Sequence, residues 1–236
     1  MKIRLKLQTV GHHLKTFLPA LILPFALTVS GFTADSNSAL STWLNAQTNI
    51  HSWSADFVQT RHFKTLTQPL TESGKVWFAE PNRFRWELGH PPKTIAVRAT
   101  DEMLLLYPML KRVERYPLNS SAPGPWRDAL ALLEAGFPRS QAEMESKFRV
   151  TSQTVTNDVC DLVLQPKSAA ARKMMPQIEI AFDLKNSSLR AVQFQFADGS
   201  SLRNDFTNAV LNPTLDEKTF TPPIPPDYKV VEPTKK

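Results

Sequence analysis

The amino-acid sequence predicts a mainly β fold, a single curved and incomplete antiparallel β-barrel with a short helical lid and an N-terminal amphipathic helix. Three observations support this prediction. From Trp53 onward, apolar residues alternate with polar ones, and β-branched and aromatic residues become frequent. The predicted strands follow one another across short connections rich in Pro, Asn and Asp, as antiparallel neighbours do. Helical periodicity is confined to short stretches before and within this run of strands.

The N-terminus has the pattern of a secretory signal peptide. A basic leader precedes the uncharged apolar run Thr16–Val29, and small residues follow that run. A transmembrane anchor is the alternative, but the run is shorter than the ~20 residues needed to span a bilayer. It also contains Pro19 and Pro24. We therefore expect residues 1–34 to be an export signal that is cleaved between residues 30 and 34.

The charge balance and the cysteine content limit the possible roles of the exported protein. The formal net charge is +6, but four basic residues precede the first acidic one, so removal of residues 1–34 leaves 24 basic and 22 acidic residues. Nucleic-acid binding is therefore not expected. Cys160 is the only cysteine, which excludes an intramolecular disulfide and an N-terminal lipid anchor at the cleavage region. We expect a soluble periplasmic monomer.

The first element of the exported chain is an amphipathic helix over Ser38–Asn49, in which Leu40, Trp43 and Leu44 share one apolar face. This face needs a surface to cover. Period-two alternation then predicts six strands, at Ala55–Leu66, Leu70–Phe78, Arg83–Gly89, Thr94–Arg98, Glu102–Tyr107 and Arg112–Leu118.

The third of these strands shows the alternation most clearly. One face of it should be covered by the core, and the other face should be exposed to water. The covered face carries Phe84, Trp86 and Leu88, and the exposed face carries Arg83, Arg85 and Glu87.

Helical periodicity returns between Pro123 and Phe148. Gly124-Pro125 begins a helix that places Trp126 and Leu130 on one face. Ser140, followed by Glu143, forms a capping box for a second short helix. Because these helices interrupt a run of strands, we expect them to lie over the mouth of the sheet.

The second half returns to strands and ends in a proline-rich segment. Ala197–Ser200 contains the strongest hairpin-turn signal, and Pro166–Pro176 is a basic loop or helical turn without an assigned sheet partner. From Pro222 onward we expect an extended strap with a loose end. No linker is evident, so the sequence predicts one domain over residues 35–232. The strands predicted here are Arg149–Thr154, Asp158–Gln165, Gln177–Asp183, Leu189–Ala197 and Ser201–Leu211.

Residue patterns typical of catalytic and metal sites are absent from the sequence. His51, His62 and His90 are widely spaced, and no paired cysteines, nucleophile elbow or phosphate-binding glycine loop accompany them. Cys160 alternates with Leu162 on a predicted strand, which is typical of a small buried apolar residue. We therefore predict a protein that is not an enzyme and that uses no metal or cofactor.

Short motifs along the chain, taken in order, resemble those of the LolA-type carriers of outer-membrane lipoproteins. In the first half they are Phe57-Val58-Gln59, Gly74-Lys75-Val76-Trp77-Phe78 and Pro81-Asn82-Arg83-Phe84-Arg85-Trp86-Glu87. In the second half they are Phe182-Asp183, Leu189, Val192, Phe194, Asp198-Gly199, Phe206-Thr207-Asn208, Phe220-Thr221-Pro222-Pro223 and Val230-Val231. The resemblance implies an apolar cavity and transfer of lipoproteins from an inner-membrane ABC release complex to an outer-membrane acceptor lipoprotein.

The ligand implied by this resemblance is a lipoprotein acyl chain or another lipid. Burial of each methylene group contributes about 0.8 kcal/mol, so an apolar shell is a suitable solvent for such a chain. Each candidate lining residue could instead be an ordinary core residue. The candidates are Phe57, Trp77, Phe84, Trp86, Met103, Leu105, Trp126, Leu130, Phe182 and Phe194.

Glu80 departs from the family pattern, in which a basic residue usually precedes the Pro-Asn pair. The resemblance implies that the basic residue donates hydrogen bonds to lid carbonyls and keeps the empty cavity closed. A carboxylate only accepts hydrogen bonds, and Arg83 and Arg85 are predicted on the exposed face. We expect a lid that closes less firmly, or one that closes through Glu80 and backbone amides at a lid-helix N-terminus.

Two alternatives use the same shell. One is a carrier for a different lipid or a glycolipid. The other is a lipid-sensing regulatory module, although such regulators usually have a further domain for which this chain leaves no room.

Overall fold

Twelve strands form one curved sheet in the computed structural model of the chain, which describes residues 36–98, 102–118 and 140–232. In chain order they are β1 (Ser52–His62), β2 (Leu70–Ala79), β3 (Arg83–Leu88), β4 (Thr94–Arg98), β5 (Glu102–Tyr107), β6 (Arg112–Pro117), β7 (Phe148–Thr156), β8 (Val159–Pro166), β9 (Gln177–Asp183), β10 (Leu189–Gln195), β11 (Ser201–Leu211) and β12 (Lys229–Val231). The predicted mainly β class is confirmed.

The sheet consists of two antiparallel meanders that meet where β1 pairs with β11. Strands β2 to β6 continue on one side of β1, and β11 back to β7 continue on the other. Phe57 of β1 lies opposite Gly74 of β2 and opposite Phe206 of β11. The first and last strands of the two meanders are thus brought together in the middle of the sheet.

The hairpin turns show why the strands reverse where they do. Asn157 and Asp158 both have positive φ, at 49° and 64°, and connect the paired residues Thr156 and Val159. This is the backbone of a two-residue primed turn. Asp158 therefore belongs to the turn, although the sequence predicts that the strand begins at this residue. The predicted turn at 197–200 is present, and Gly199 supplies its positive φ of 86°.

The larger core cluster lies on one face of the sheet, which we call the inner face and which carries Phe57, Trp86 and Ile180. The opposite face is the outer face, and it carries a smaller buried cluster around Val113. Helix α1 (Ser36–Gln47) packs on the inner face, as its apolar stripe predicts. Its Trp43 and Leu44 are buried.

Two further short helices flank the second meander. Helix α2 (Gln141–Lys147) begins after Ser140, whose hydroxyl accepts a hydrogen bond from the Glu143 backbone amide at 3.1 Å. This contact is the first half of the predicted capping box. Helix α3 (Ala169–Met174) lies within the basic segment 166–176, for which the sequence predicts a loop or helical turn.

The C-terminal segment corrects two sequence predictions. In the structure the C-terminal strap comprises residues 216–231 and ends in β12. Because β12 pairs in parallel with β6 through Val230 and Val113, the strap is joined to the sheet as far as residue 231. Side chains of the strap, Ile224 and Tyr228, pack on the outer face against a cluster that includes Val113. The face of β3 predicted to be exposed to water is also largely covered, since the Arg85 side chain is only 16% exposed.

Several predictions fall outside the described residues. These are the leader at 1–34 and the helix that begins at Gly124-Pro125, with Trp126 and Leu130. No helix in the described parts of the chain combines the length and the apolarity that crossing a bilayer requires.

Candidate functional site

Aromatic rings from β1, β3 and β11 meet on the inner face around Phe57. The Phe57 ring centroid lies 3.8 Å from that of Trp86 on β3 and 6.3 Å from that of Phe206 on β11. Phe84 extends the group along β3, with its centroid 6.1 Å from Trp86. Phe57 is buried, whereas Phe84 and Trp86 are half-buried. We call Phe57, Phe84, Trp86 and Phe206 the aromatic cluster. In this cluster Phe57 and Phe206 are buried, and the other two rings retain accessible surface.

Gly74 makes this arrangement possible. It lies opposite Phe57 across the β1–β2 ladder. A β-carbon at residue 74 would lie 2.3 Å from Phe57 Cζ and 2.2 Å from the Glu87 carbonyl oxygen. Any other residue would therefore displace the Phe57 ring or the β3 backbone.

A buried polar pair adjoins the aromatic cluster on the same face. The Gln59 side-chain amide donates to Asn204 Oδ1 at 3.0 Å, and both residues are buried. Arg61 Nε donates to Gln59 Oε1 at 2.7 Å. Buried amide groups are costly unless they are hydrogen-bonded. These hydrogen bonds therefore let polar side chains lie buried next to the apolar rings.

Helix α1 covers Phe182, one of the predicted lining residues. The Trp43 ring stacks on the Phe182 ring with centroids 4.5 Å apart, and Trp43 Nε1 donates to the Ser187 carbonyl at 3.2 Å. Phe182 is fully buried beneath this contact. Phe194 is also buried in the same cluster. These two residues contribute to the packed part of the inner face.

Met103 and Leu105 form a separate buried patch on β5. Within the described residues they pack with Ala96, Tyr107, Tyr116 and Leu118. The ladder places Leu105 opposite Ala96, which lies opposite Trp86. The patch therefore continues the inner face beyond the aromatic cluster.

Trp77, another predicted lining residue, lies on the outer face. It is paired with Arg85 across the β2–β3 ladder, one residue out of phase with Val76 and Trp86. The Arg85 guanidinium carbon lies 6.0 Å from the centre of the Trp77 ring. The structure thus separates Trp77 from the aromatic cluster.

The residues predicted to act as a latch contact the strap and the end of the sheet. Glu80 accepts a hydrogen bond from His51 Nδ1 at 2.8 Å through its carboxylate, and one from Arg83 through its carbonyl. Arg83 also pairs with Glu217 and lies over the Phe220 ring.

Arg85 makes a similar contact with the strap, because it donates to the Thr219 carbonyl at 2.9 Å and pairs with Glu87. The two arginines therefore hold the strap against β3. They are not directed into water as predicted.

The single cysteine of the chain belongs to the inner-face core and is not an activated nucleophile. Cys160 is fully buried, and desolvation raises the pKa of its thiol to about 11. At neutral pH it is a small apolar core residue, as predicted. Among the described residues, no group of three or more His, Cys, Asp or Glu side chains is arranged to hold a metal ion.

The candidate lining residues predicted from the sequence do not include Trp53 and Phe206, which belong to the same inner-face core. Trp53 is buried with its ring centroid 5.2 Å from that of Phe206. The alternation of Trp53, Ala55 and Phe57 contains the signal for Trp53. Phe206 could be placed only through the pairing of β1 with β11, which joins residues far apart in sequence.

Comparison with known proteins gives one matching family. The family model described as outer membrane lipoprotein carrier protein LolA matches residues 48–223. This range includes β1 to β11 and the aromatic cluster.

Individual relatives agree with the family match at low identity. The chain is 27% identical over 187 residues to an outer-membrane lipoprotein carrier protein of Chromohalobacter salexigens, covering 78% of this chain and 81% of that protein. It is 24% identical over 204 residues to a protein of the same name from Pseudomonas aeruginosa, covering 84% and 90%. A solved structure of an uncharacterized conserved protein from Thermus thermophilus shares the fold, with a TM-score of 0.50 at 12% identity, covering 84% of this chain and 98% of that one.

Proposed function

This chain belongs to the LolA family of outer membrane lipoprotein carriers, and we propose that its inner face binds the acyl chains of lipoproteins during transport through the periplasm. The chain is a carrier and not an enzyme. The proposal concerns where the cargo binds and which route it takes.

The half-buried rings of Phe84 and Trp86 are the observation that carries the proposal. They lie beside the buried Phe57 and belong to the apolar cluster of the inner face. Partly exposed aromatic rings on a curved apolar surface can bury a hydrocarbon chain at about 0.8 kcal/mol per methylene group. A lipid bound here would contact the rings of Phe84 and Trp86, and the buried Phe57 packs against Trp86.

The apolar surface extends from the aromatic cluster toward β5. Trp86, Ala96 and Leu105 are paired in register across β3, β4 and β5. A ligand as long as an acyl chain needs such an extended strip and not a compact pocket. We therefore place Met103 and Leu105 in the binding region together with Phe57, Phe84 and Trp86.

The proposed route runs from an inner-membrane ABC release complex to an acceptor lipoprotein at the outer membrane. The family description and the names of both relatives support a lipoprotein cargo and the outer membrane as its destination. The release complex and the acceptor are what the family resemblance implies. The predicted export signal at 1–34 is consistent with a periplasmic location.

Mass spectrometry of lipids that co-purify with the protein from the native periplasm tests the proposal. We expect acylated N-terminal peptides of lipoproteins. Free glycolipids or other lipids in their place would identify a carrier of different cargo. A protein that returns without any lipid, and that binds no fluorescent acyl probe, would contradict binding at the inner face.

A further inference from the structure

One end of the sheet combines exposed apolar side chains with an excess of positive charge. Three segments meet there, namely the β1–β2 hairpin at 61–71, the segment 167–174 that contains α3, and the β10–β11 turn at 196–200. We call these three segments the basic edge. The proposed binding of cargo on the inner face does not involve this surface.

The three segments are contiguous in the structure. His62, at the end of β1, lies opposite Ser201 at the start of β11. The Ala197 amide donates to the Met174 carbonyl at 3.0 Å, which joins the β10–β11 turn to α3. The hairpin reaches the same turn, since the aliphatic part of Lys64 lies beside Gly199.

Large apolar side chains project from the basic edge into solvent. Residues 61–70 are all exposed, and within this stretch Leu66 and Leu70 are 48% and 54% exposed. Phe63 is 41% exposed, and Met174 of α3 is 44% exposed. Exposed apolar residues gathered on neighbouring segments usually mark a contact surface.

The charge of the basic edge is one-sided. Neither 61–71 nor 167–174 contains an acidic residue, and together they hold five Lys and Arg residues, against the single Asp198 of the turn. The exported chain carries an excess of only two basic residues overall, so positive charge is concentrated here. Arg172 is held by the carbonyls of Pro166 and Lys167, whereas Lys64 and Lys173 are exposed at the surface.

We propose that the basic edge contacts the anionic surface of a phospholipid bilayer. Lysine side chains would lie among the lipid phosphates, while Phe63, Leu66 and Leu70 enter the boundary between headgroups and acyl chains. The same combination of cationic and apolar side chains is found in interfacial segments of peripheral proteins. The contact would be reversible, because the apolar area of one hairpin is small and part of the attraction is electrostatic.

Vesicle flotation tests the contact directly. The protein is purified from the periplasm after export, so that the apolar leader is removed, and is mixed with phosphatidylcholine vesicles with or without phosphatidylglycerol. We expect binding to the anionic vesicles only, with binding that weakens as salt is added. Leu66→Asp should abolish binding, and Lys64→Gln or Lys173→Gln should each weaken it about fivefold.

Matched variants at other surfaces provide the controls. Val210 is 50% exposed near the other end of β11, and Lys218 is exposed on the strap. Val210→Asp and Lys218→Gln should leave vesicle binding unchanged. Acyl-probe binding should be the same in wild type and Leu66→Asp, which separates this proposal from that of cargo binding.

Three results would overturn the proposal. One is absence of binding to anionic vesicles, and another is equal loss in the control variants. The third is self-association of the wild-type protein, measured by analytical ultracentrifugation, that Leu66→Asp abolishes while no vesicle binding is seen. That result would identify the basic edge as an interface between copies of the chain.

Discussion

The Phe57 ring occupies the space in which a side chain at residue 74 would lie. Its Cζ atom is 2.3 Å from the position of a β-carbon on Gly74, which faces it across the ladder. The glycine of the Gly74-Lys75-Val76-Trp77 motif is thus explained by close approach of a ring and not by a turn. The position of the aromatic cluster depends on this missing side chain.

Gly74→Ala should therefore destabilise the fold by about 1–3 kcal/mol, the range for overpacking in a core. The added methyl group meets both the Phe57 ring and the Glu87 carbonyl oxygen, and the backbone oxygen cannot rotate away. Urea denaturation followed by circular dichroism measures the loss. Ser73→Ala, at the exposed neighbour, is the control and should change stability by less than about 0.5 kcal/mol. Equal stability of both variants would contradict this account of Gly74.

Arg85→Ala should loosen the C-terminal strap without unfolding the sheet. The guanidinium donates to the Thr219 carbonyl, pairs with Glu87 and covers Trp77. Losing a largely buried charge-assisted hydrogen bond costs about 1.5–3 kcal/mol. Hydrogen exchange should show faster exchange in the strap and little change in β9. Lys218→Ala is the control, and a strap that exchanges at the wild-type rate in Arg85→Ala would refute the anchoring role.

Asp183 should make stability depend on pH in the acid range. Its carboxylate accepts from Arg190 at 2.6 Å and from the Lys185 amide at 2.9 Å, and the Arg190 contact is the main cause that holds its pKa below the usual value. A lowered pKa in the folded state stabilises the fold above about pH 4, and the contribution is lost as pH falls through the folded value.

Asp183→Asn should accordingly be less stable than wild type at pH 7 by about 1–2 kcal/mol. The difference between the two proteins should shrink as the pH is lowered below about 4. Thermal denaturation across this range measures it. Asp205→Asn, at an exposed carboxylate paired with Arg203, is the comparison. A gap between Asp183→Asn and wild type that does not vary with pH would rule out this role of Asp183.

Local patterns in the sequence were sufficient to predict most of the sheet. Four strands have the predicted bounds, because alternation and turn residues are local signals that extend over only a few positions. These strands are Thr94–Arg98, Glu102–Tyr107, Gln177–Asp183 and Ser201–Leu211. Strand β12 was missed, since its three residues are stabilised by parallel pairing with β6, which lies more than a hundred residues earlier. Such long-range pairing leaves no periodic signal.

The same distinction applies to the candidate site. Phe57, Phe84 and Trp86 lie together because alternation fixes the face of each strand. The prediction for Trp77 is wrong because Trp77 follows Val76, which lies on the inner face, and successive residues of a strand point to opposite faces. The cover over Arg83 and Arg85 was not foreseeable, since it comes from the strap.

Trp86→Ala should weaken binding of a fluorescent acyl probe about tenfold, the equivalent of ~1.4 kcal/mol. The half-buried ring offers apolar area to a ligand that Ala cannot replace. Val58→Ala is the matched control, because Val58 is an exposed apolar residue of β1 that lies on the outer face. Circular dichroism confirms folding of both variants. Probe affinity in Trp86→Ala equal to that of Val58→Ala would remove Trp86 from the binding region.

The last prediction concerns Glu80, where the family resemblance implies a basic residue. Its carboxylate pairs with His51, and the two side chains are 39% and 70% exposed, so the pair itself contributes little to stability. Glu80→Gln should consequently leave both stability and probe affinity close to wild type.

Glu80→Arg should instead weaken acyl-probe affinity. A guanidinium at residue 80 can donate to carbonyls and would stabilise the closed empty state that the family resemblance implies. The apparent affinity then falls in proportion to the fraction of protein that remains open. A closed state favoured by ~1.4 kcal/mol would lower affinity about tenfold. Titration of the probe into wild type, Glu80→Gln and Glu80→Arg decides the matter, with thermal denaturation as the control for folding. If Glu80→Arg binds the probe as tightly as Glu80→Gln, residue 80 has no part in the closure that the family resemblance implies.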